Sequence, residues 1–124
     1  MIRSREIMPS IRLIICGASG RMGLRVHALA STDARFSVSA RVSRATADSL
    51  AESLGAADAV IDFSVPEASL KAAALCAEAK KPIAIGTTGF SKAQQEKLSL
   101  YAQKTAIFVA PNFSPGVYVL GKLA

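Results

Sequence analysis

The chain has 124 residues, 51% hydrophobic and 19% charged, which suits one folded domain and excludes a disordered chain. Its 15 Lys and Arg against 9 Asp and Glu leave a net charge of +6, favouring anionic partners: nucleic acid, a membrane surface or phosphorylated small molecules. The basic residues are spread out, which argues against a nucleic-acid-binding tract, and no apolar run approaches the length of a membrane span.

Residues 1–10 read as a flexible lead-in, basic at Arg3 and Arg5 but without the apolar stretch of a secretion signal; Met8 is a second candidate start. Residues 11–124 then alternate strand and helix. Ile11–Cys16 is a short apolar run ending at Gly17, a buried strand. Met22, Val26, Leu29 and Ala30 share one helical face. Phe36–Val42 is a second, partly alternating strand. Ala47, Leu50, Ala51 and Leu54 repeat the helical spacing, with Gly55 as a stop. Residues 59–63 make a third strand. Ser64 to Glu67 has the pattern of a capping box, with Pro66 in the first turn of a helix that buries Leu70, Ala73, Ala74 and Ala77. Residues 82–86 form a fourth strand. Ser91 with Gln94 caps a helix whose Leu98, Tyr101 and Ala102 face inward. Residues 106–110 form a fifth strand, and residues 117–124 open an apolar helix that stops without a C-cap, as if more protein normally follows.

Such alternation predicts a three-layer α/β fold of the Rossmann type, a doubly wound parallel sheet with helices on both faces. The crossover over residues 43–58 is too short for an additional edge strand, so the predicted sheet has five strands in order 2-1-3-4-5. Few aromatic residues (6%, no Trp) and many small aliphatic ones suit such a buried sheet. Cys16 and Cys76 match no metal-site spacing and read as two free buried thiols in a cytoplasmic protein.

The chemistry sits where strands end. Gly17-Ala-Ser-Gly20-Arg-Met-Gly23 follows the first strand and opens the first helix, with spacing G-x-x-G-x-x-G where the commoner dinucleotide fingerprint is G-x-G-x-x-G. Gly17 permits the turn, and Ala18 and Ser19 are small enough for a pyrophosphate to approach. Gly20 stands where a helix N-terminus offers free N–H groups, and Gly23 lets helix pack on strand. Three further loops follow the other strands, and in open α/β sheets ligands lie outside the carboxyl ends of the strands. Hydroxyl and amide groups of Ser64, Thr87, Thr88 and Asn112 are placed to orient a carboxamide or ribose. Taken singly, each also suits a turn or a helix cap.

Four ordered motifs carry a family resemblance: residues 17–23, Asp-Phe-Ser-Val-Pro-Glu (62–67), Gly-Thr-Thr-Gly-Phe-Ser (86–91) and Ala-Pro-Asn-Phe-Ser-Pro-Gly-Val (110–117). They resemble the successive signatures of bacterial dihydrodipicolinate reductase, also called 4-hydroxy-tetrahydrodipicolinate reductase, which acts in the diaminopimelate route to lysine. The resemblance spans residues 11–124. It implies that Gly17, Ala18, Ser19, Gly20, Arg21 and Met22 hold the pyrophosphate of a nicotinamide dinucleotide. It also implies that Phe63, Ser64, Gly86, Thr87, Thr88, Ala110, Pro111, Asn112 and Phe113 line the nicotinamide side. The family's catalytic His pair and Lys stand in a second domain that binds substrate and builds a homotetramer. No such segment occurs here, and the single histidine, His27, falls on the first helix. The chain alone is therefore expected to be monomeric and inactive, with no catalytic residue, no metal, and neither nucleic acid nor membrane as partner. Family members also usually have room for an extra strand between residues 42 and 59.

Nucleotide preference turns on the end of the second strand, about 20 residues past the glycines. Arg41, Val42, Ser43 and Arg44 stand there with no carboxylate. Arg41 is the first candidate for a 2′-phosphate contact, implying NADP with NAD possible; Arg21 and Arg44 remain alternatives, and solvated surface arginines are a second reading. Two other functions stay open: a non-enzymatic dinucleotide-binding or redox-sensing module, and the cofactor domain of another two-domain dehydrogenase.

Overall fold

A computed structural model describes residues 10–46 and 48–110. Five strands, β1 (Ile11–Cys16), β2 (Phe36–Val42), β3 (Ala59–Asp62), β4 (Ile83–Ile85) and β5 (Ile107–Val109), pair in parallel in the order β2-β1-β3-β4-β5. Four helices connect them: α1 (Arg21–Ser31), α2 (Ser49–Ser53), α3 (Pro66–Ala79) and α4 (Lys92–Tyr101). The five expected strands all form, in the expected order, and no further strand occurs among the described residues.

Two apolar layers follow from the period of two along β1. Leu13 and Ile15 pack with Ala59, Ile61 and Ala84 beneath Val26 and Ala30 of α1. Ile14 and Cys16 face the other way, with Val60, Ile83 and Ile85, and are covered by Leu50 of α2, Ala72, Ala73 and Cys76 of α3, and Leu98 of α4. Small residues on α3 let that helix sit close to the sheet, which is why so many alanines fall at its buried positions.

Between β1 and β2 the pairing slips once: Leu13 stands opposite Val38, but Ile14 stands opposite Ala40. Ser39 is the extra residue of this bulge, and its hydroxyl donates to the Leu13 carbonyl at 3.2 Å. One inserted residue exchanges the two faces of a strand. Phe36 and Val38 accordingly pack on the α1 side, whereas Ala40 and Val42 pack on the α2–α3 side.

Several local expectations are corrected. The crossover contains only a five-residue helix, α2, flanked by 3₁₀ turns at Arg44–Thr46 and Leu54–Ala56, and Gly55 lies inside the second turn. Ala51 and Ala102, expected inward, are exposed, and Ala47 lies outside the described residues. Helix α3 buries Ser69, Ala72, Ala73, Cys76 and Ala77, while Leu70 and Ala74 are half-buried. The capping box on α4 forms as expected, Ser91 accepting from the Gln94 N–H and Gln94 accepting from the Ser91 N–H. No such box starts α3: its N-cap is Val65, with Pro66 at the first helical position and no side-chain cap.

Helix α3 ends in a Schellman motif, the Lys81 N–H donating to the Cys76 carbonyl at 2.8 Å and the Lys80 N–H to that of Ala77 at 3.3 Å. Lys80 adopts φ 58° and ψ 42°, a left-handed conformation that crowds its Cβ. Replacing Lys80 with Gly is expected to stabilise the domain by about 1 kcal/mol, because the relieved crowding exceeds the chain entropy that glycine adds. Urea denaturation followed by circular dichroism checks it; an unchanged or lower midpoint would show that the cap carries no strain.

Candidate dinucleotide site

The turn from β1 into α1 is built by backbone contacts. Gly17 has φ 74°, and both its N–H and that of Ala18 donate to the Val42 carbonyl at the end of β2, at 2.9 and 3.1 Å. A Cβ on Gly17 would overlap the Phe63 carbonyl after β3, and a Cβ on Gly23 would overlap the Gly17 carbonyl. Both glycines are demanded by the protein itself. Gly20 is different: a Cβ there would sit 3.5 Å from the Gly17 carbonyl, an ordinary contact. Gly20 is the N-cap of α1, exposed, with no side chain to cap the helix, and no acidic residue follows in the first turn. The N–H groups at this helix start, with their positive dipole end, are open to an anion.

This turn opens on a cavity of about 560 Å³. Cys16, Gly17, Ser19 and Gly20 form one wall, and Val42, Ser43 and Arg44 another. Leu50 and Ala51 of α2, Asp62 at the end of β3 with Phe63 to Val65 after it, and Ala68, Lys71, Ala72 and Leu75 of α3 complete it. Its floor is apolar, with Arg44, Lys71 and Asp48 as exposed charged groups.

Of the residues expected in the site, Gly17, Ser19, Gly20, Phe63 and Ser64 line this cavity. Ala18 is buried under the turn, Arg21 is exposed and Met22 half-buried, all three outside the lining. Arg41 is exposed and also outside it: the bulge at Ser39 turns Val42 to the cavity face and Arg41 to the opposite one. Arg44 is the arginine at the cavity wall. Gly86 and Thr87 are buried at the end of β4, and Thr88 is exposed beside them. A Cβ on Gly86 would overlap the Phe63 ring, so that ring lies directly across the β4 end. Ala110 is buried, its N–H donating to the Ile85 carbonyl at 2.7 Å. Pro111, Asn112 and Phe113 lie outside the described residues.

Asp62 is the residue that sequence reasoning missed. It is fully buried at the end of β3 and accepts from Ser64 Oγ at 2.6 Å, from Thr87 Oγ1 at 3.0 Å and from Ser69 Oγ. Among the described residues no Lys or Arg forms an ion pair with it. Burial pushes its carboxyl upward from the usual carboxylate range, and the three hydroxyl donors oppose that shift. The available signal was one carboxylate inside an otherwise apolar strand. Burial, reinforced by the charge of Asp62, also raises both nearby thiols, Cys76 up to about 12 and Cys16 further, so they stay protonated and inert.

The family described as Dihydrodipicolinate reductase, N-terminus, matches residues 11–113. The chain belongs to that family. It is 35% identical over 135 residues to the 4-hydroxy-tetrahydrodipicolinate reductase of Halorhodospira halophila, covering 92% of the chain and 51% of that protein. The enzyme of the same name from Desulfovibrio desulfuricans is 39% identical over 128 residues, covering 92% and 49%. The fold is also that of a dipicolinate-bound dihydrodipicolinate reductase from Paenisporosarcina sp. TG-14, with a TM-score of 0.69 at 23% identity over 92% of the chain and 52% of that structure. The chain thus spans about half the length of the curated relatives it matches. It corresponds to the N-terminal, nucleotide-binding domain of that family.

The two kinds of glycine in the turn separate in stability. Gly23→Ala gains roughly 1 kcal/mol of helix propensity but overpacks against backbone that cannot step aside, at about 1–3 kcal/mol. A net loss is expected. Gly20→Ala, whose Cβ would meet only an ordinary contact, should change stability by less than about 1 kcal/mol. Urea titration of both variants checks this, and equal losses would show that Gly20, like Gly23, is demanded by packing.

Proposed function

We propose that this chain is the NADPH-binding half of a 4-hydroxy-tetrahydrodipicolinate reductase, the enzyme that passes a hydride to a cyclic imine in diaminopimelate and lysine biosynthesis. The observation that carries the reading is Gly20. A side chain there would fit the protein, so its absence is explained by a group that approaches the uncapped α1 N-terminus from outside. A pyrophosphate meets that requirement, and the adjoining cavity is of a size for an adenosine moiety.

When bound, the cofactor supplies the hydride. The chain's own residues bind and orient it. The amides of Ser19 and of the first turn of α1 face the phosphates, the Gly20 N–H being taken by the Gly17 carbonyl, and the apolar cavity floor takes the adenine. Gly86, packed against the Phe63 ring, and Ser64, Thr87, Thr88 and Ala110 make up the nicotinamide end, and Pro111, Asn112 and Phe113 are assigned cofactor contacts with them. Proton donation and substrate binding fall to the half of the relatives that this chain does not match. The purified chain is therefore expected to bind NADPH without oxidising it when the imine is generated in situ from pyruvate and aspartate semialdehyde. Measurable loss of NADPH absorbance would overturn that division of labour.

Preference for NADP over NAD is proposed from Arg44 and Lys71 at the cavity wall. Arg44 replaces Arg41 as the 2′-phosphate candidate, because Arg41 follows the other face of β2 beyond the bulge. Asp48 lines the same cavity and supports a second reading, in which a carboxylate accepts from ribose hydroxyls and NADH is the better ligand. Titration of both nucleotides at fixed salt separates them. Arg44→Ala should weaken NADPH roughly tenfold to a hundredfold, the worth of one charge-assisted hydrogen bond, and leave NADH nearly unchanged. Arg41→Ala should change neither. Gly20→Ala should weaken both alike. Tighter NADH than NADPH in the unsubstituted chain would favour the Asp48 reading, and absence of binding by either would remove the dinucleotide assignment.

A further inference from the structure

A hydroxyl group has one proton to give and two lone pairs to offer. Ser64 Oγ gives its proton to Asp62 Oδ1 at 2.6 Å, and Thr87 Oγ1 gives its proton to Asp62 Oδ2 at 3.0 Å. Ser69 does the same from α3, so the Ser64–Ser69 approach at 3.3 Å involves two oxygens whose protons are already placed. With their donors used, Ser64 and Thr87 can meet anything further only as acceptors. Ser64 lines the cavity and Thr87 stands at the adjoining β4 end.

The start of α1 has the opposite character, since its uncapped backbone N–H groups can only donate. The crevice is therefore divided into a donor end suited to anions and an acceptor end suited to N–H and O–H groups. Asp62 is what makes the second end so. A purely structural tie between these three segments needs no charge: a neutral residue with apolar neighbours would fill the end of β3 without a buried carboxylate.

We infer that Asp62 is a positioning residue that holds Ser64 and Thr87 as obligate acceptors, so that this end of the site selects a carboxamide N–H₂ group and rejects a carboxylate in its place. The inference rests on the dinucleotide reading above and deepens it. Asparagine at position 62 would supply an N–H₂ donor, turn one or both hydroxyls round, and free a proton to point at the ligand.

The test compares NADP⁺ with its nicotinic acid analogue, which carries a carboxylate where NADP⁺ carries the carboxamide, and uses 2′,5′-ADP as a probe of the shared adenosine half. The unsubstituted chain is expected to bind NADP⁺ at least about tenfold more tightly than the acid analogue. Asp62→Asn should bring that ratio close to one; because Asp62 and Ser64 also border the cavity, a change common to both nucleotides is read from 2′,5′-ADP and cancels in the ratio. Ser64→Ala and Thr87→Val keep the charge of Asp62 but remove one acceptor each, and at least one of them should lower the ratio. They also serve if Asp62→Asn fails to fold. A ratio near one in the unsubstituted chain, or one unmoved by Asp62→Asn, overturns the inference. So does discrimination that survives in both hydroxyl variants, because the charge alone would then be responsible. Absence of binding to all three probes instead removes the dinucleotide reading on which the inference stands.

Discussion

The whole site hangs on two methyl groups that cannot be present. A Cβ on Gly17 would overlap the Phe63 carbonyl, and a Cβ on Gly23 would overlap the Gly17 carbonyl. At that point the end of β1, the first turn of α1 and the end of β3 meet backbone to backbone. The Val42 carbonyl, accepting from both Gly17 and Ala18, ties the end of β2 to the same place. Side chains relax by changing rotamer, whereas packed backbone cannot, so the aim of the α1 N-terminus is set rigidly. Pre-organisation of this kind lowers the ordering cost of binding an anion there.

Polarity is then distributed along the crevice by two different devices. At the α1 end it comes from the peptide groups, with no charged side chain needed. At the β3–β4 end it comes from one buried carboxylate and three hydroxyls. The second device is costly, since a buried carboxylate must be satisfied by several good hydrogen bonds, and Asp62 has donors from Ser64, Ser69 and Thr87. Those bonds join the β3–α3 loop, α3 and the β4 end. Burial, with the Asp62 charge adding to it, keeps the thiols of Cys16 and Cys76 protonated, which leaves two cysteines in the core without reactivity.

A single residue in β2 decides which basic group faces the cavity. With strict alternation from Phe36, Arg41 would share the face of α2 and α3. The bulge at Ser39 exchanges the faces, so that Val42 enters the core below the cavity and Arg41 leaves it. Arg44, just past the strand, takes the position at the wall. The short crossover acts in the same direction. It provides only the five-residue α2 as cover, which leaves the cavity open between α2 and α3.

What the sequence alone determined is what depends on near neighbours along the chain. Short apolar or partly alternating runs located all five strands to within a residue at each end, and β-α alternation with a short second crossover implied their order. The turn at Gly17, the close packing at Gly23 and the Ser91–Gln94 cap were legible because each involves groups a few residues apart, although the carbonyl that bars a side chain at Gly17 is that of distant Phe63. What only the tertiary structure decided depends on partners far along the chain. Ser64 has the pattern of a cap, yet its proton goes to Asp62, which is shared with Thr87 from a different strand end. A buried carboxylate competes better for that hydroxyl than a helix start exposed to water. Arg41 matched the spacing rule, yet a bulge created by pairing with β1 turned it away. Local pattern specifies which elements form; which way a polar side chain points is decided by the strongest partner the fold brings within reach.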